Sequence, residues 1–134
     1  HRRGLDLSGN LLENLNEDIG HLEYLKELDV SDNQITDIDA AIGKLGALEV
    51  FNCSRNRLKK LPKEIGGMKS LRVLDLQNND LKELPASMKN LSSLEVINVS
   101  GNDLDTRYVR TILADNHGLK IINKNGRIPE TVSG

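Results

Sequence analysis

An asparagine recurs every 23 residues along most of this chain, at Asn10, Asn33, Asn56, Asn79 and Asn102. In each copy an aliphatic residue, or Cys53 in the third copy, stands three positions before the asparagine, and another aliphatic residue stands two positions after it. The full spacing is L-x-x-L-x-L-x-x-N-x-L, and residues 71–81 match it at every position. One such unit cannot bury its own apolar residues, so the copies are expected to stack side by side into a solenoid.

The first half of each copy predicts a short strand. Residues 73–77, VLDLQ, alternate apolar and polar side chains, and stacking would align such strands into a parallel sheet. In the second half, LKKLPKEIGGM keeps aliphatic residues at helical spacing, but Pro62 and the glycines exclude a long helix. We therefore expect an α/β solenoid, a right-handed superhelix with the parallel β-sheet on its concave face and turns or short helices on its convex face. The predicted strands lie near residues 4–8, 27–31, 50–54, 73–77 and 96–100.

The repeated asparagine is predicted to be buried and structural. Its carboxamide offers donors and an acceptor, so a column of these side chains can satisfy backbone groups of the turns that leave the strands. Cys53 occupies an aliphatic position of the repeat, and we interpret it as a small buried hydrophobic residue.

The last copy departs from the pattern after Leu104. TRYVRTILADNHG, residues 106–118, predicts a helix that ends at Gly118, with Tyr108, Ile112 and Leu113 on one face. Residues 119–123, LKIIN, then repeat the strand signature once more. We expect five repeats over residues 4–104, a C-terminal cap helix and strand over 105–124, and a tail without periodicity over 125–134.

The N-terminal copy begins without a recognisable cap, because Arg2 stands where the leading leucine of the unit is expected. We interpret residues 1–3 as a vector remnant or as the start of a truncated chain. An uncapped solenoid edge exposes core residues, so self-association through this edge is a further expectation.

These units resemble those of leucine-rich repeat proteins. LKKLPKEIGGMKSL and LKELPASMKNLSSL look like the 23-residue repeats of the Ras-group branch, which includes plant intracellular Ras-group proteins, Ras suppressors and scribble-type scaffolds. Residues 105–124 resemble the C-terminal cap of cytoplasmic leucine-rich repeat proteins, although His117 and Asn123 replace the usual proline and aspartate. The resemblance implies an adaptor or scaffold that binds a protein, such as a small GTPase or a phosphatase, through its concave face. Similar repeats occur in bacterial proteins, so it does not identify an organism.

Composition narrows the function classes. The chain carries 18 basic and 20 acidic residues, and a formal charge of −2 argues against a surface that neutralises nucleic-acid phosphates. The sequence contains no run of eighteen apolar residues, so it does not predict a membrane-spanning helix. Secreted relatives commonly seal their ends with disulfides, and a single cysteine cannot form one, so we expect the cytoplasm.

Catalysis is not expected. Asp6 and Asp29 would be adjacent carboxylates on neighbouring strands, and such a pair could share a proton or hydrolyse a glycoside. An open sheet, however, offers no enclosing pocket, and no phosphate loop, nucleophile elbow or metal-ligand motif occurs. We expect no catalytic residue, no metal site and no cofactor.

The exposed strand positions are predicted to form three rows. The first holds the apolar residues Val50, Val73, Val96 and Ile121, which form an apolar stripe typical of a binding face. The alternative is that β-branched residues are favoured on any sheet surface. The middle row reads Asp6, Asp29, Asn52, Asp75, Asn98 and Asn123, and the last row reads Ser8, Ser31, Ser54, Gln77 and Ser100.

Charge is uneven along the solenoid, with acidic residues concentrated in residues 1–43 and basic residues in 44–72. Arg55 and Arg57, beside an acidic patch of Glu27, Asp29 and Asp32, could orient a partner of complementary charge. Ordinary solvated surface with ion pairs between repeats is the alternative. The predicted partner-binding residues are Glu27, Asp29, Val50, Asn52, Arg55, Arg57, Val73, Asp75 and Val96.

Two other functional hypotheses remain open at the level of the sequence. The chain could be the recognition domain of a larger enzyme or of a bacterial effector. It could also be an extracellular receptor or glycan-binding module, which glycosylation at the N-x-S sequons of Asn52 or Asn98 would support.

Overall fold

The structure, a computed structural model, describes residues 3–124, so the predicted tail at 125–134 and residues 1–2 lie outside it. Its strands are β1 (Gly4–Asp6), β2 (Asn14–Leu15), β3 (Glu27–Asp29), β4 (Asp37–Ile38), β5 (Val50–Asn52), β6 (Val73–Asp75), β7 (Val96–Asn98) and β8 (Lys120–Ile122). Its α-helix is α1 (Thr106–Ile112), and 3₁₀ helices cover Glu17–His21, Ala40–Lys44, Lys63–Gly67 and Ala86–Asn90.

One parallel sheet runs the length of the stack in the order β1-β3-β5-β6-β7-β8. From β1 to β7 each residue pairs with the residue 23 positions further on, as Val50 does with Val73. The backbone ladder continues past the strand ends, for example from the Leu7 N–H to the Asp29 carbonyl at 2.7 Å. The predicted α/β solenoid with a parallel sheet on its concave face is confirmed.

The apolar positions of the repeat form a continuous core. In the second, third and fourth copies the four aliphatic positions of the spacing are at most 1% exposed, and Cys53 is one of them. Burial raises the pKa of the Cys53 thiol well above its usual value, so this residue packs as the predicted small hydrophobe. In the first copy, Leu5, Leu7 and Leu12 are only partly buried, because no repeat among the described residues covers them.

The asparagine column ties each turn to the one before it. The Asn79 Oδ1 accepts a hydrogen bond from the Leu58 N–H at 2.9 Å. Its Nδ2 donates to the Leu76 carbonyl in its own copy and to the Cys53 carbonyl in the preceding copy. Asn33, Asn56 and Asn102 repeat this arrangement. The prediction of a buried structural asparagine is confirmed for Asn33, Asn56 and Asn79, where one side chain satisfies backbone groups of two repeats. Asn102 is half-buried, and Asn10 is exposed and, among the described residues, bonds only within its own copy.

A second, smaller sheet lies on the other side of the stack, and prolines limit its length. Strands β2 and β4 pair in parallel, and the Asp39 N–H donates to the Leu15 carbonyl at 2.8 Å. Pro62 and Pro85 take the place of Asp39 in the next two copies and have no N–H to donate, so the ladder does not continue. The 3₁₀ helices that follow are five residues each, in agreement with the predicted short helices.

Close packing of these 3₁₀ helices depends on glycine. A Cβ at Gly43 would lie 2.7 Å from the Glu64 carbonyl oxygen, and one at Gly66 would overlap the Ser87 carbonyl oxygen. No other residue type fits there without separating the repeats.

The cap helix differs from its prediction. It ends at Ile112 and not at Gly118, because the chain turns and the Asn116 side chain donates to the Leu94 carbonyl at 2.7 Å. Val109 of the helix and Leu113, which follows its last residue, are buried, whereas Tyr108 is 37% exposed. The Tyr108 hydroxyl instead bonds the Leu84 backbone. No helix within residues 3–124 is long and apolar enough to cross a bilayer.

The last strand is shifted by one residue from the predicted alignment. Val96 pairs with Lys120, and Ile97 pairs with Ile121. Ile121 therefore does not extend the outward valine row, and Asn123 leaves the middle row, where Ile122 pairs with Asn98. The prediction for both residues was wrong. The spacing from Leu94 to Leu119 indicated a copy two residues longer than the 23-residue repeat, but the pairing of β7 with β8 shows that α1 and its turn lengthen it by only one residue.

Removing one member of the asparagine column should destabilise the whole stack. Asn79→Ala leaves the buried Leu58 N–H without its acceptor, so we expect about 3 kcal/mol loss in the free energy of unfolding. Urea denaturation followed by circular dichroism measures it. The exposed Asn90 is a control, and Asn90→Ala should change stability by less than about 0.5 kcal/mol. Equal effects of the two substitutions would contradict the structural role of the column.

Two adjacent glycines provide a matched steric test. Gly66→Ala places a methyl group against the Ser87 backbone and should destabilise by roughly 2 kcal/mol. Gly67→Ala, whose Cβ would meet nothing closer than 3.7 Å, should be neutral or stabilising by up to about 1 kcal/mol. Thermal unfolding of both variants is the measurement, and a Gly66→Ala variant as stable as the Gly67→Ala variant would refute the packing argument.

Candidate functional site

The first residues of β3, β5, β6 and β7, together with Lys120 at the start of β8, form the outer row, which consists of Glu27, Val50, Val73, Val96 and Lys120. Gly4 of β1 pairs with Glu27 and adds no side chain to the row. The three valines are half-buried among their neighbours, while Glu27 and Lys120 are exposed. Cross-strand contact between β-branched side chains stabilises the sheet, so part of the apolar surface of each valine is buried against the valine of the next strand. The remainder is a narrow apolar stripe bounded by one acidic and one basic side chain.

The middle row, one strand position further on, is held in place by hydrogen bonds to its own chain. The Asp29 Oδ1 accepts from the Ser31 N–H at 2.9 Å and from the Ser31 hydroxyl at 2.6 Å. The same closed turn forms at Asp6 and Asn52, and at Asp75 and Asn98 through the backbone N–H alone. One oxygen of each side chain is thus occupied, and the rest of the group faces outward.

The predicted third row is largely buried. Ser31, Ser54 and Ser100 are at most 3% exposed, so the expectation that they are exposed was wrong, whereas Ser8 and Gln77 are half-buried. The chain leaves the sheet plane at this point, and the hydroxyls of Ser31 and Ser54 turn back onto the preceding Asp29 and Asn52 side chains.

The neighbouring carboxylates Asp6 and Asp29 pair in register on adjacent strands. Hydrogen bonds from the Ser8 hydroxyl and backbone hold the pKa of Asp6 below its usual value. The Asp6 carboxylate is thus held in its own turn by Ser8.

Arg55 and Asp32 form a bidentate ion pair between consecutive repeats. The Arg55 Nε and Nη2 donate to the two carboxylate oxygens of Asp32 at 2.6 and 2.9 Å. Both residues have positive φ, 55° and 56°, at the sharp turn that follows each strand. Because both side chains are about half exposed, the pair contributes modestly to stability. The charge of Arg55 is already paired with Asp32 before any partner binds. Asp32 was predicted as part of the acidic patch but not as a partner-binding residue, and its ion pair with Arg55 agrees with the alternative of ion pairs between repeats.

Arg57 behaves differently from Arg55. Its side chain is exposed and makes no ion pair within the described part of the chain, while its backbone N–H donates to the Ile35 carbonyl at 2.9 Å. Leu11, at the equivalent position two copies earlier, is 78% exposed. Within residues 3–124, this loop edge therefore presents Arg57 as a cation outside any ion pair and Leu11 as an exposed apolar side chain.

A ladder of alternating charges, which was not among the sequence predictions, lies at the start of the strands. Lys26 contacts Glu49 at 3.5 Å, and Arg72 contacts Glu49 at 3.3 Å and Glu95 at 3.2 Å. The sequence signal was present, since these residues are spaced by 23 positions and alternate in sign. The ladder satisfies its own charges and has a structural role.

The structure brings several predicted site residues together. A shallow groove of about 410 Å³ is lined by Glu27, Asp29, Val50 and Asn52, with Asp6 at its end. Val73, Asp75 and Val96 continue the same two rows on β6 and β7. Arg55 and Arg57 lie apart from the groove, on the loop that follows β5.

The Asp32–Arg55 pair gives a pH prediction. The Arg55 guanidinium lowers the pKa of Asp32, so the stability that the pair adds is present at neutral pH and is lost as the pH falls through that lowered pKa. In NMR titrations, Arg55→Gln should raise the pKa of Asp32 toward its usual value. Asp6, whose pKa is lowered by Ser8, should not respond. An unchanged Asp32 pKa in the variant would show that the pair does not form.

Two solved structures with the same architecture belong to proteins much longer than this chain. A leucine-rich repeat protein of Leptospira interrogans is 29% identical, with a TM-score of 0.67, over 88% of this chain and 36% of its own. TLR13, in the structure of its complex with ssRNA13, is 22% identical, with a TM-score of 0.80, over 90% of this chain and 18% of its own. The second likeness concerns the fold alone. No curated protein sequence matches the chain significantly.

The family is established by its sequence profile. The profile described as "Leucine rich repeat" matches three overlapping segments, residues 3–58, 23–81 and 47–104. Together they span most of the chain and the strands β1 to β7. Domains of this family generally mediate protein–protein interaction and are generally non-catalytic. With its stacked 23-residue units, its asparagine column and its parallel sheet, the chain belongs to the leucine-rich repeat family.

Proposed function

We propose that this chain is a non-catalytic adaptor or scaffold module that binds a protein partner through its concave face. The observation that carries the proposal is the stripe of Val50, Val73 and Val96, which lies outside the core on three adjacent strands beside a row of outward polar groups. An apolar centre with a polar border is the usual composition of a protein interface.

The finer assignment rests on the Ras-group resemblance of the central repeats. It supports a partner in small-GTPase or phosphatase signalling and a cytoplasmic location. The one cysteine also supports a reducing compartment, since it is buried and carries no disulfide. Arg57, the exposed cation of the loop edge, is proposed to orient the partner.

Other partners are less well supported. TLR13 is seen with RNA, but the concave face of this chain carries Asp6, Glu27, Asp29 and Asp75, which would repel phosphates. We therefore propose no nucleic-acid partner. Self-association through the partly buried leucines of the first copy stays a prediction.

A second candidate function is that of a recognition domain in a longer protein. The chain spans 36% of the Leptospira protein and 18% of TLR13, so stacks of this kind do occur within longer chains. In that setting the same concave face would select the substrate or partner of the whole protein.

A double variant tests the concave assignment. Arg57→Glu with Val73→Asp should reduce capture of the protein partner at least tenfold, because the changes remove the Arg57 cation and place two carboxylates beside and within the apolar stripe. The measurement is affinity capture from a native extract with quantitative mass spectrometry, and circular dichroism checks that the domain remains folded.

The matched control is Lys60→Glu with Ser93→Asp, which makes the same change in net charge at exposed positions outside the strands. It should capture the partner as the wild type does. Undiminished capture by the folded Arg57→Glu/Val73→Asp variant would rule out the concave face as the binding surface.

A further inference from the structure

The two charges at the ends of the valine stripe have no partner within residues 3–124. Glu27 pairs in register with Val50 at one end, and Lys120 pairs with Val96 at the other. Neither forms an ion pair, whereas the charges of the ladder just before the strands are bonded to one another. Both side chains are exposed, so they are available to a ligand.

The distance between these charges sets the length of a matching ligand. Four strand steps separate Glu27 from Lys120, and at roughly 4.8 Å a step they are about 19 Å apart. An extended peptide rises about 3.3 Å per residue, so six steps cover this distance. Its first, third, fifth and seventh side chains would then face the sheet.

The middle row favours an extended backbone over a helix. The Oδ1 atoms of Asn52 and Asn98 accept hydrogen bonds from their own turns, while their Nδ2 groups make none among the described residues. Asp29 and Asp75 each keep one carboxylate oxygen outside these turns. The row therefore alternates acceptors with donors, which suits the unpaired N–H and C=O groups of an extended chain. A helix would leave these groups unused, because its own backbone is satisfied.

We propose that the outer row binds an extended peptide segment of about seven residues with a basic residue over Glu27, two apolar residues over the valines and an acidic residue over Lys120. This assignment rests on the function proposed above and specifies the partner's binding segment. The apolar centre supplies contact area, and the end charges select ligands whose two ends carry opposite charge.

Selection from a library of random nonapeptides displayed on phage tests the proposal with the full chain as bait. The wild type should enrich the pattern basic-x-apolar-x-apolar-x-acidic, in either chain direction. The Glu27→Lys variant makes both ends of the stripe basic and should instead enrich peptides that are acidic at both ends. Glu23→Lys, the same charge change at an exposed residue outside the sheet, should enrich the wild-type pattern.

Synthetic heptapeptides make the test quantitative. By fluorescence anisotropy, Glu27→Lys should weaken binding of the peptide with opposite end charges about fivefold to tenfold and strengthen binding of the doubly acidic peptide by a similar factor. End charges that do not respond to Glu27→Lys, or a library that yields no such pattern, would overturn the proposal.

The two proposals fail in distinguishable ways. If the Arg57→Glu/Val73→Asp variant loses its protein partner but no peptide of this pattern is selected, the concave function stands and the extended-segment assignment is wrong. If the selected peptides bind that variant as well as the wild type, the concave face itself is excluded.

Discussion

The hydrogen bonds of the buried asparagines are the interaction on which the rest of the structure depends. Each carboxamide accepts from the backbone of the preceding repeat and donates to carbonyls of both repeats, as Asn56 does with Ile35, Val30 and Cys53. Without these bonds, burial of the leucines would leave backbone N–H and C=O groups in the interior without hydrogen-bond partners. The column thus permits a core along the whole stack and fixes the distance between neighbouring strands.

Strict spacing has a direct consequence for function. Residues 23 positions apart form rows across the sheet, so the charge or polarity of each surface row can be read from every 23rd residue of the sequence. The charges at the strand starts satisfy one another, and Arg55 is shared with Asp32. What remains for a partner is the valine stripe, the outward groups of the middle row, Arg57 and the two end charges.

The departures from the predicted site share one physical cause, which is local geometry that periodicity does not encode. The serines after the strands alternate correctly for exposure, yet Ser31 and Ser54 turn inward because the preceding Asp29 and Asn52 close a turn on them. Ile121 and Asn123 were misplaced because the cap helix ends early and changes the register of β8. Lys120, which replaces Ile121 beside Val96, gives the stripe a charged end.

By itself the sequence determined the solenoid, the parallel sheet, the buried role of Asn79 and Cys53, and the outward valine row, because each follows from a spacing that only stacking satisfies. Only the tertiary structure decided which charges are free. Arg55 and Arg57 are alike in sequence, but one lies against Asp32 and the other faces solvent. Side-chain pairing between repeats depends on rotamers, on positive φ at the turns and on the register of the final strand, and these are set by contacts across the stack and not by the period.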